Sequence, residues 1–598
     1  MSVRPVRIAN ISGMFGDRPS AALEMLEGGD VDVLSGDWLA ELTMLIMART
    51  RMRRPDGGYG RTFVAQMEQI MGIVLDRDVK VVVNAGGLDP LGCAEAVREV
   101  GNRLGLAPTV AAITGDDLSG RLGDLVAAGA PFINLDTGEP LDDKADRILT
   151  ANAYLGGWGI ASALGSGADI VVTGRVTDAS LAVGPAAWWH EWARDDWDAL
   201  AGAVVAGHVI ECSMQATGGN YSFFGEVSGL EYPGFPWVEI AADGSSVVGI
   251  HEGAGGEVSI PTVTSQLLYE IGSPEYDNAD VTARFDSIEI EEIAPNRVRL
   301  SGIKGQPPPR TLKVAAAYAG GFRNTMMIGL TGLDAKAKAD LFCRQFWRAC
   351  PWDPEDYEEV RTTLIGRGER DPSSNAAAVS YLEIAVRDPD EEKVGRSWAD
   401  TMVHIALGSI PGLFGVWPPR KASPYAVYWP TLIDREAVTD VVHLGERSFA
   451  VPETDPGEPF TVTLEEPRIL SPPSGSLVRV PLGRVVGARS GDKGGSANLG
   501  VFTRTDDGYP WLTAFLTVDR LIDLLPDLAE YEIDRYELPR LRAVNFVVHG
   551  ILDEGVSSSL RFDAQAKGLG EYLRAKWIEV PAALTVLQDR DRTDQSGR

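Results

Sequence analysis

Cysteine is scarce in this 598-residue chain: Cys93, Cys212, Cys343 and Cys350 are the whole set, and no two form a C-x-x-C pair. That excludes a disulfide framework and a structural zinc knuckle, and it fits a reducing cytoplasm. Long apolar runs are missing as well. No stretch of about 18 apolar residues occurs, and the opening MSVRPVRIANISG enters a strand pattern without the apolar core of a signal peptide. A soluble, cytoplasmic protein with no membrane partner is expected. Positive charge is in deficit: 55 Lys and Arg stand against 85 Asp and Glu, a formal net charge of −30. Phosphate backbones and anionic membrane surfaces are therefore repelled, and nucleic acid is not an expected partner.

What is present is apolar material for more than one core. At 44% hydrophobic content, and with single cores rarely growing beyond about 250–300 residues, two or three domains are expected. Val- and Ile-rich runs at 6–11, 31–35, 79–85, 109–115, 132–135 and 169–174 alternate with helix-length amphipathic stretches such as 61–76, 90–104 and 152–167. Six βα units in a row predict an α/β fold, a doubly wound parallel sheet covered by helices; a closed βα barrel shows the same alternation. From about 225 to 320 the chain turns β-rich, and this stretch reads as a hairpin-bearing extension of the first domain. Helical patterns resume at 335–350 and 373–385. Pro, Gly, Ser and acids gather at 451–480 and mark a linker between a first domain at 1–450 and a second at 481–590. The second domain reads as a ferredoxin-like α+β sandwich, with a frayed tail after residue 585.

Glycine-punctuated polar turns close several of the apolar runs. NISGMFGDR places Asn10, Gly13, Gly16, Asp17 and Arg18 after the first strand; it is not a G-x-G-x-x-G, so neither nicotinamide nor flavin binding is expected. NAGGLDPLG contributes Asn84, Gly86 and Gly87. TGRVTDASL contributes Arg175 and Asp178, suited to a substrate carboxylate or equally to a local ion pair. GHVIECSMQATGGN carries His208, Glu211 and Cys212 on one helical face, with Gln215, Gly218 and Gly219 beyond. His208 poised by Glu211 suits general acid–base work, and Cys212 suits a nucleophile if its thiolate is stabilised; the competing reading is a buried, satisfied histidine. H-x-x-E lacks a third ligand, so no metal is assigned. Near the end, RSGDKGGSANLG sets Arg489, Asp492, Lys493 and Asn498 in an anion-binding type of loop.

Read together, NISGMFGDR, NAGGLDP, ANAYLGGWGIASALGSGADIVVTGRVTDASL, GHVIECSMQATGGN, GAGGEVSIPTVTSQLLYEIGSPEY and TLKVAAAYAGG resemble the acyclic terpene utilisation protein A (AtuA) family. ARSGDKGGSANLGV resembles the small ferredoxin-fold domain often joined to it. The match is loose over 322–475. The resemblance implies the catabolism of acyclic terpenes or branched acyl-CoA thioesters, with CoA entering as part of the substrate; no other cofactor is assigned. The expected activity is lyase or hydratase-like chemistry on an acidic small molecule: proton transfer, hydration or C–C cleavage. The alternative is a non-catalytic scaffold or carrier. The C-terminal module would then serve docking or homo-oligomer formation.

Overall fold

The computed structural model describes residues 4–585 apart from 55–56, 367, 418–420, 453, 459, 461 and 465–470. All the short apolar runs but 132–135 become strands, β1 (Val6–Gly13), β2 (Val33–Asp37), β3 (Lys80–Val83), β4 (Val110–Thr114) and β6 (Ile170–Thr173), and Ile148–Ala153 forms β5. β1, β2, β3, β6 and β4 lie side by side in that order, all parallel. Pro236–Ile240 pairs antiparallel with β1 and Val441–Leu444 antiparallel with β4, within an open sheet of eleven strands.

Period-2 alternation splits the apolar side chains between two faces. Ile8, Val33, Val82, Ala111 and Val171 pack with residues of the helices Trp158–Gly165, Ser180–His190 and Trp197–Glu211. Ala9, Leu34, Val81, Val83 and Val172 pack with residues of Ala21–Gly28, Arg61–Asp76 and Pro90–Leu104. The last of these helices starts where its sequence says it should: Asp89 accepts the Gly92 N–H, Pro90 occupies the first turn, and Gly105 at φ 69° ends it.

The expected parallel strands are present, but antiparallel Pro236–Ile240 and Val441–Leu444 make the sheet mixed, and two expected elements are not found in it. Residues 132–135 form no strand, because the Asn134 side chain accepts the N–H groups of Asp136 and Thr137 and holds the chain in a turn. Part of the stretch read as one helix at 152–167 is instead β5, which leaves this sheet to pair with the 21-residue strand Thr311–Thr331. ILTANA carries little β signal of its own; pairing with the long strand supplies it. That strand spans a second sheet, where Ser423–Asp434 and Val379–Asp388 flank it. Val379–Asp388 overturns the helix expected at 373–385.

In the C-terminal unit, Val486–Lys493, Ser496–Thr503, Ala543–Val548 and Ile533–Leu538 form an antiparallel sheet in that order. The crossover from the second strand to Ile533–Leu538 runs through two helices, with Ala543–Val548 between them in the sheet, as ferredoxin-like folds require. Leu499, Val501, Val544 and Phe546 build this unit's own core. The opposite face meets Leu268–Gly272: Asn498 Nδ2 donates to Leu268 O at 2.7 Å, the Glu270 N–H donates to Asn498 Oδ1 at 2.9 Å, and Asn545 Nδ2 donates to Gly272 O at 2.8 Å. Of the expected linker at 451–480, residues 453, 459, 461 and 465–470 lie outside the described residues, as does the tail after 585. Among the described residues no helix is long and apolar enough to cross a membrane.

Candidate active site at the carboxyl edge

Parallel strands end at one edge, so the turns after β1, β3 and β6 share it. The fourth motif reaches the same place from a helix. Trp197–Glu211 is buried along nearly its whole length, as a helix apolar all round must be, and its end lies against Gly13. A Cβ on Gly13 would stand 2.8 Å from Glu211 O, Cys212 C and Ser213 N. All three are main-chain atoms, so only glycine admits this approach.

The edge is crowded with charge. Arg175, 3% exposed, donates to Leu39 O at 2.9 Å and to Asp178 Oδ1 at 2.7 Å, and its guanidinium lies 4.1 Å from the Tyr154 ring centre. Burial opposes its charge, but Asp178 and Asp37 overcome that and hold it protonated. The Arg175 N–H and Asn152 Nδ2 both donate to Asp116 Oδ2 at 2.8 Å. Burial still pushes the Asp116 carboxyl up to about 6. Asn84 bridges strand ends, accepting the Trp38 N–H at 2.7 Å and donating to Asp37 at 2.5 Å. Burial and the neighbouring Asp178 nevertheless raise Asp37 well above the ordinary carboxylate range.

Glu211 and Glu270 are raised in the same way. Burial leads in both, followed by Asp178 for Glu211 and Asp492 for Glu270. His208 Nδ1 lies 3.1 Å from Glu211 Oε1, while the ring packs against Tyr276 and Phe285, and burial lowers it to about 4. The pair is therefore a carboxyl raised by burial beside an imidazole that is neutral at neutral pH. Burial and the carboxyls of Glu211, Glu270, Asp37 and Asp178 raise the Cys212 thiol far above its usual value, so the thiolate that a nucleophile needs is disfavoured. Among the described residues no group of three or more His, Cys, Asp or Glu could hold a metal.

The glycine-rich hairpin of the C-terminal unit covers this edge. A Cβ on Gly491 would stand 2.4 Å from the Tyr269 ring. The Arg489 guanidinium stacks 4.2 Å from the Tyr269 ring centre and donates to Gln215 Oε1. Lys493 Nζ donates to Glu270 O at 3.2 Å. Asp492, raised by burial, lies within reach of Lys567, which donates to the Tyr269 hydroxyl at 2.9 Å.

The structure therefore gathers Gly13, Asn84, Arg175, Asp178, His208, Glu211, Cys212, Asp492 and Lys493 around one edge. Other expected site residues have structural work elsewhere. Arg18 is held by Glu24 and Pro233 O under the Tyr232 ring, and Asp17 accepts the Gly13 N–H. Asn10 donates to Ser12 O. Gly86 packs against Thr173 O, Gly87 at φ 51° against Met47, Gly218 at φ 103° against Val227, and Gly219 against Met214 O. Gly16, at φ 90°, turns the loop with open space beside it. Asn498 fastens the two units rather than facing a ligand, and Gln215 and Arg489 bind one another across them. Sequence reasoning missed Asp37, Tyr154, Glu270 and Tyr276. Asp37 ends LSGD, a Gly-Asp strand terminus of the same kind as those singled out. Glu270 carries its signal only in the backbone, at φ 58°, where a non-glycine residue costs energy that functional sites often hold.

The α/β sheet thus gathers carboxyls raised by burial at its carboxyl edge, beneath a ferredoxin-like unit. The family described as acyclic terpene utilisation family protein AtuA matches residues 6–444, and the AtuA ferredoxin-like domain matches residues 480–579. The chain belongs to the AtuA family, and that membership implies involvement in acyclic terpene utilisation. Comparison with curated proteins and with solved structures returned no match.

Proposed function

We propose that the protein is an enzyme of acyclic terpene breakdown that moves protons on an acidic small molecule, a branched carboxylic acid or its CoA thioester. The observation that carries this reading is the contrast between two neighbouring carboxyl groups. Asp178 is ion-paired with Arg175 at 2.7 Å and its side chain is 31% exposed; Glu211 is buried, raised and backed by His208. A partly exposed carboxyl paired with an arginine, beside a buried and raised one, is the arrangement that hydration, enolisation and C–C cleavage next to a carbonyl all use. In this scheme Asp178 accepts a proton from the substrate, Glu211 supplies one to it, and His208, 3.1 Å from Glu211 Oε1, positions that carboxyl. Arg175 holds the Asp178 carboxyl in place through the 2.7 Å ion pair.

Incubation of the purified protein with a panel of branched acyl-CoA thioesters and free acids, followed by mass spectrometry, tests the activity. On the substrate so found, Asp178→Asn and Glu211→Gln each lower kcat on the order of 10²-fold or more with KM little changed. His208→Ala lowers it less. No conversion of any panel member would favour the scaffold reading; full activity in folded Asp178→Asn would remove the acid–base assignment.

A further inference from the structure

Arg175, the cation that the sequence offers as a substrate anchor, is already spent on Leu39 O, Asp178 and Tyr154. Two other cations at the same edge are not. Lys313, on the long strand, is exposed and makes no ion pair among the described residues; its ammonium lies 5.3 Å from the Tyr154 ring centre and 6.0 Å from that of Tyr428. Lys493, on the hairpin of the C-terminal unit, is likewise exposed and free of ion pairs among the described residues, with one hydrogen bond to Glu270 O at 3.2 Å. The two ammonium groups repel one another. Carboxylates face Lys493 from Glu270, Asp277 and Asp136, but Asp136 accepts the Gly495 N–H at 3.0 Å and Asp277 accepts the Thr282 hydroxyl at 2.7 Å. Two like charges brought together from separate units, in a chain with 30 more acidic than basic residues, cost energy that a bound anion repays.

We propose that Lys313 and Lys493 together seat the anionic group of the substrate, so that the C-terminal unit supplies half of a binding site that the sheet edge cannot complete alone. This rests on the acidic-substrate reading above. The chemistry recognised is a compact oxyanion, carboxylate or phosphate, and two sources present it: the acid function of the substrate or a phosphate of CoA. Gly491, Gly494 and Gly495 fit this role, because they let the hairpin lie close enough to Tyr269 and Asp136 for Lys493 to reach the edge.

Isothermal titration calorimetry on the full chain tests the seat with isovalerate, isovaleryl-CoA, 3′-dephospho-CoA and inorganic phosphate. Lys313→Ala and Lys493→Ala each weaken binding of the preferred probe about 10-fold or more, as loss of a charge-assisted hydrogen bond does, and Lys493→Arg restores it. Preference for isovalerate assigns the seat to the acid function; preference for the CoA probes assigns it to a phosphate. Although the side chain is exposed in part, the protein packed around its ammonium and the charge of Lys313 lower the Lys493 amine to about 8, so affinity falls as pH rises through 8 in the wild type and persists in Lys493→Arg. If the double alanine variant binds the preferred probe as the wild type does, the seat is overturned while the acidic-substrate reading stands. If the wild type binds none of the probes, both fall.

Discussion

The strand ends and the hairpin that covers them bring charge to one place in opposite ways. At the ends of the parallel strands the charged side chains have partners: Arg175 has Leu39, Asp178 and Tyr154, Asp116 has the Arg175 N–H and Asn152, and Asp37 has Asn84. On the hairpin side Lys493 has one carbonyl and across from it Lys313 has two ring faces. Committed charges serve the fold and tune one another's protons, whereas free ones are available to a ligand. The two sides should therefore fail differently, in stability on one and in affinity on the other.

The sharpest break comes at Arg175. Arg175→Met removes the counter-charge from buried carboxyls and leaves Leu39 O without its donor, and about 3–5 kcal/mol of stability should go with it. Urea unfolding measures this. Arg175→Lys should recover only part, because an ammonium cannot span Leu39 O and Asp178 as a fork does. Lys493→Ala should cost within about 0.5 kcal/mol in the same assay. Equal losses at the two positions would erase the distinction between committed and free charge.

The committed side should also carry the pH dependence of stability. His208 falls from an ordinary 6.5 to about 4, so between those values the unfolded chain binds the extra proton and stability drains away as pH falls. Asp116 rises from 3.8 to about 6, so there the folded chain binds the extra proton and stability drains away as pH rises. His208→Met should flatten the acid limb, a gain on the order of 2–4 kcal/mol at pH 4 that vanishes above pH 7. Denaturant midpoints across pH 4–8 report it, and an unchanged acid limb would place the histidine's proton elsewhere.

Next in size is the seam. Asn498 joins the two units through Leu268 O and the Glu270 N–H, and its amide also reaches Asn545 Oδ1 at 2.9 Å. Asn498→Ala leaves those backbone groups buried without partners, at about 2–3 kcal/mol. The C-terminal unit should then come away more readily, and limited proteolysis between residues 451 and 480 should speed up. Unchanged cleavage would mean that the other contacts of the seam suffice, such as Asn545 to Gly272 O and Gly500 against Leu268.

These expectations also mark where sequence reading succeeds and stops. Strand-end turns such as Gly86–Gly87 and the Asp89 cap are legible because their chemistry is local: a left-handed φ, a capping oxygen, a proline in the first turn. The role of Asn498 is not, since its partners Leu268 and Glu270 lie more than two hundred residues earlier. The same holds for β5, whose neutral sequence becomes a strand only because Thr311–Thr331 lies beside it. His208 and Glu211 were readable as a pair from helical spacing, but their protonation states were not. Those depend on Asp178, Glu270 and the aromatic rings around them, brought in by other elements.

The smallest expected effect is at Cys212, and it tests the electrostatic sign of the edge. A reactive thiol needs a cation or a helix N-terminus close by. At Cys212 the opposite influences win: it ends the helix Trp197–Glu211, and burial with Glu211, Glu270, Asp37 and Asp178 raises its thiol although Arg489 acts on it from the hairpin. Cys212→Ala should therefore leave turnover within about 2-fold of the wild type, and iodoacetamide at pH 8 should leave Cys212 unmodified in the folded chain while labelling it after denaturation, as peptide mass mapping would show. Rapid labelling of the native thiol, or loss of turnover in a folded Cys212→Ala, would mean that a cation from the hairpin side outweighs those carboxyls. The division between committed and free charge would then have to be redrawn with Lys493 or Arg489 on the catalytic side.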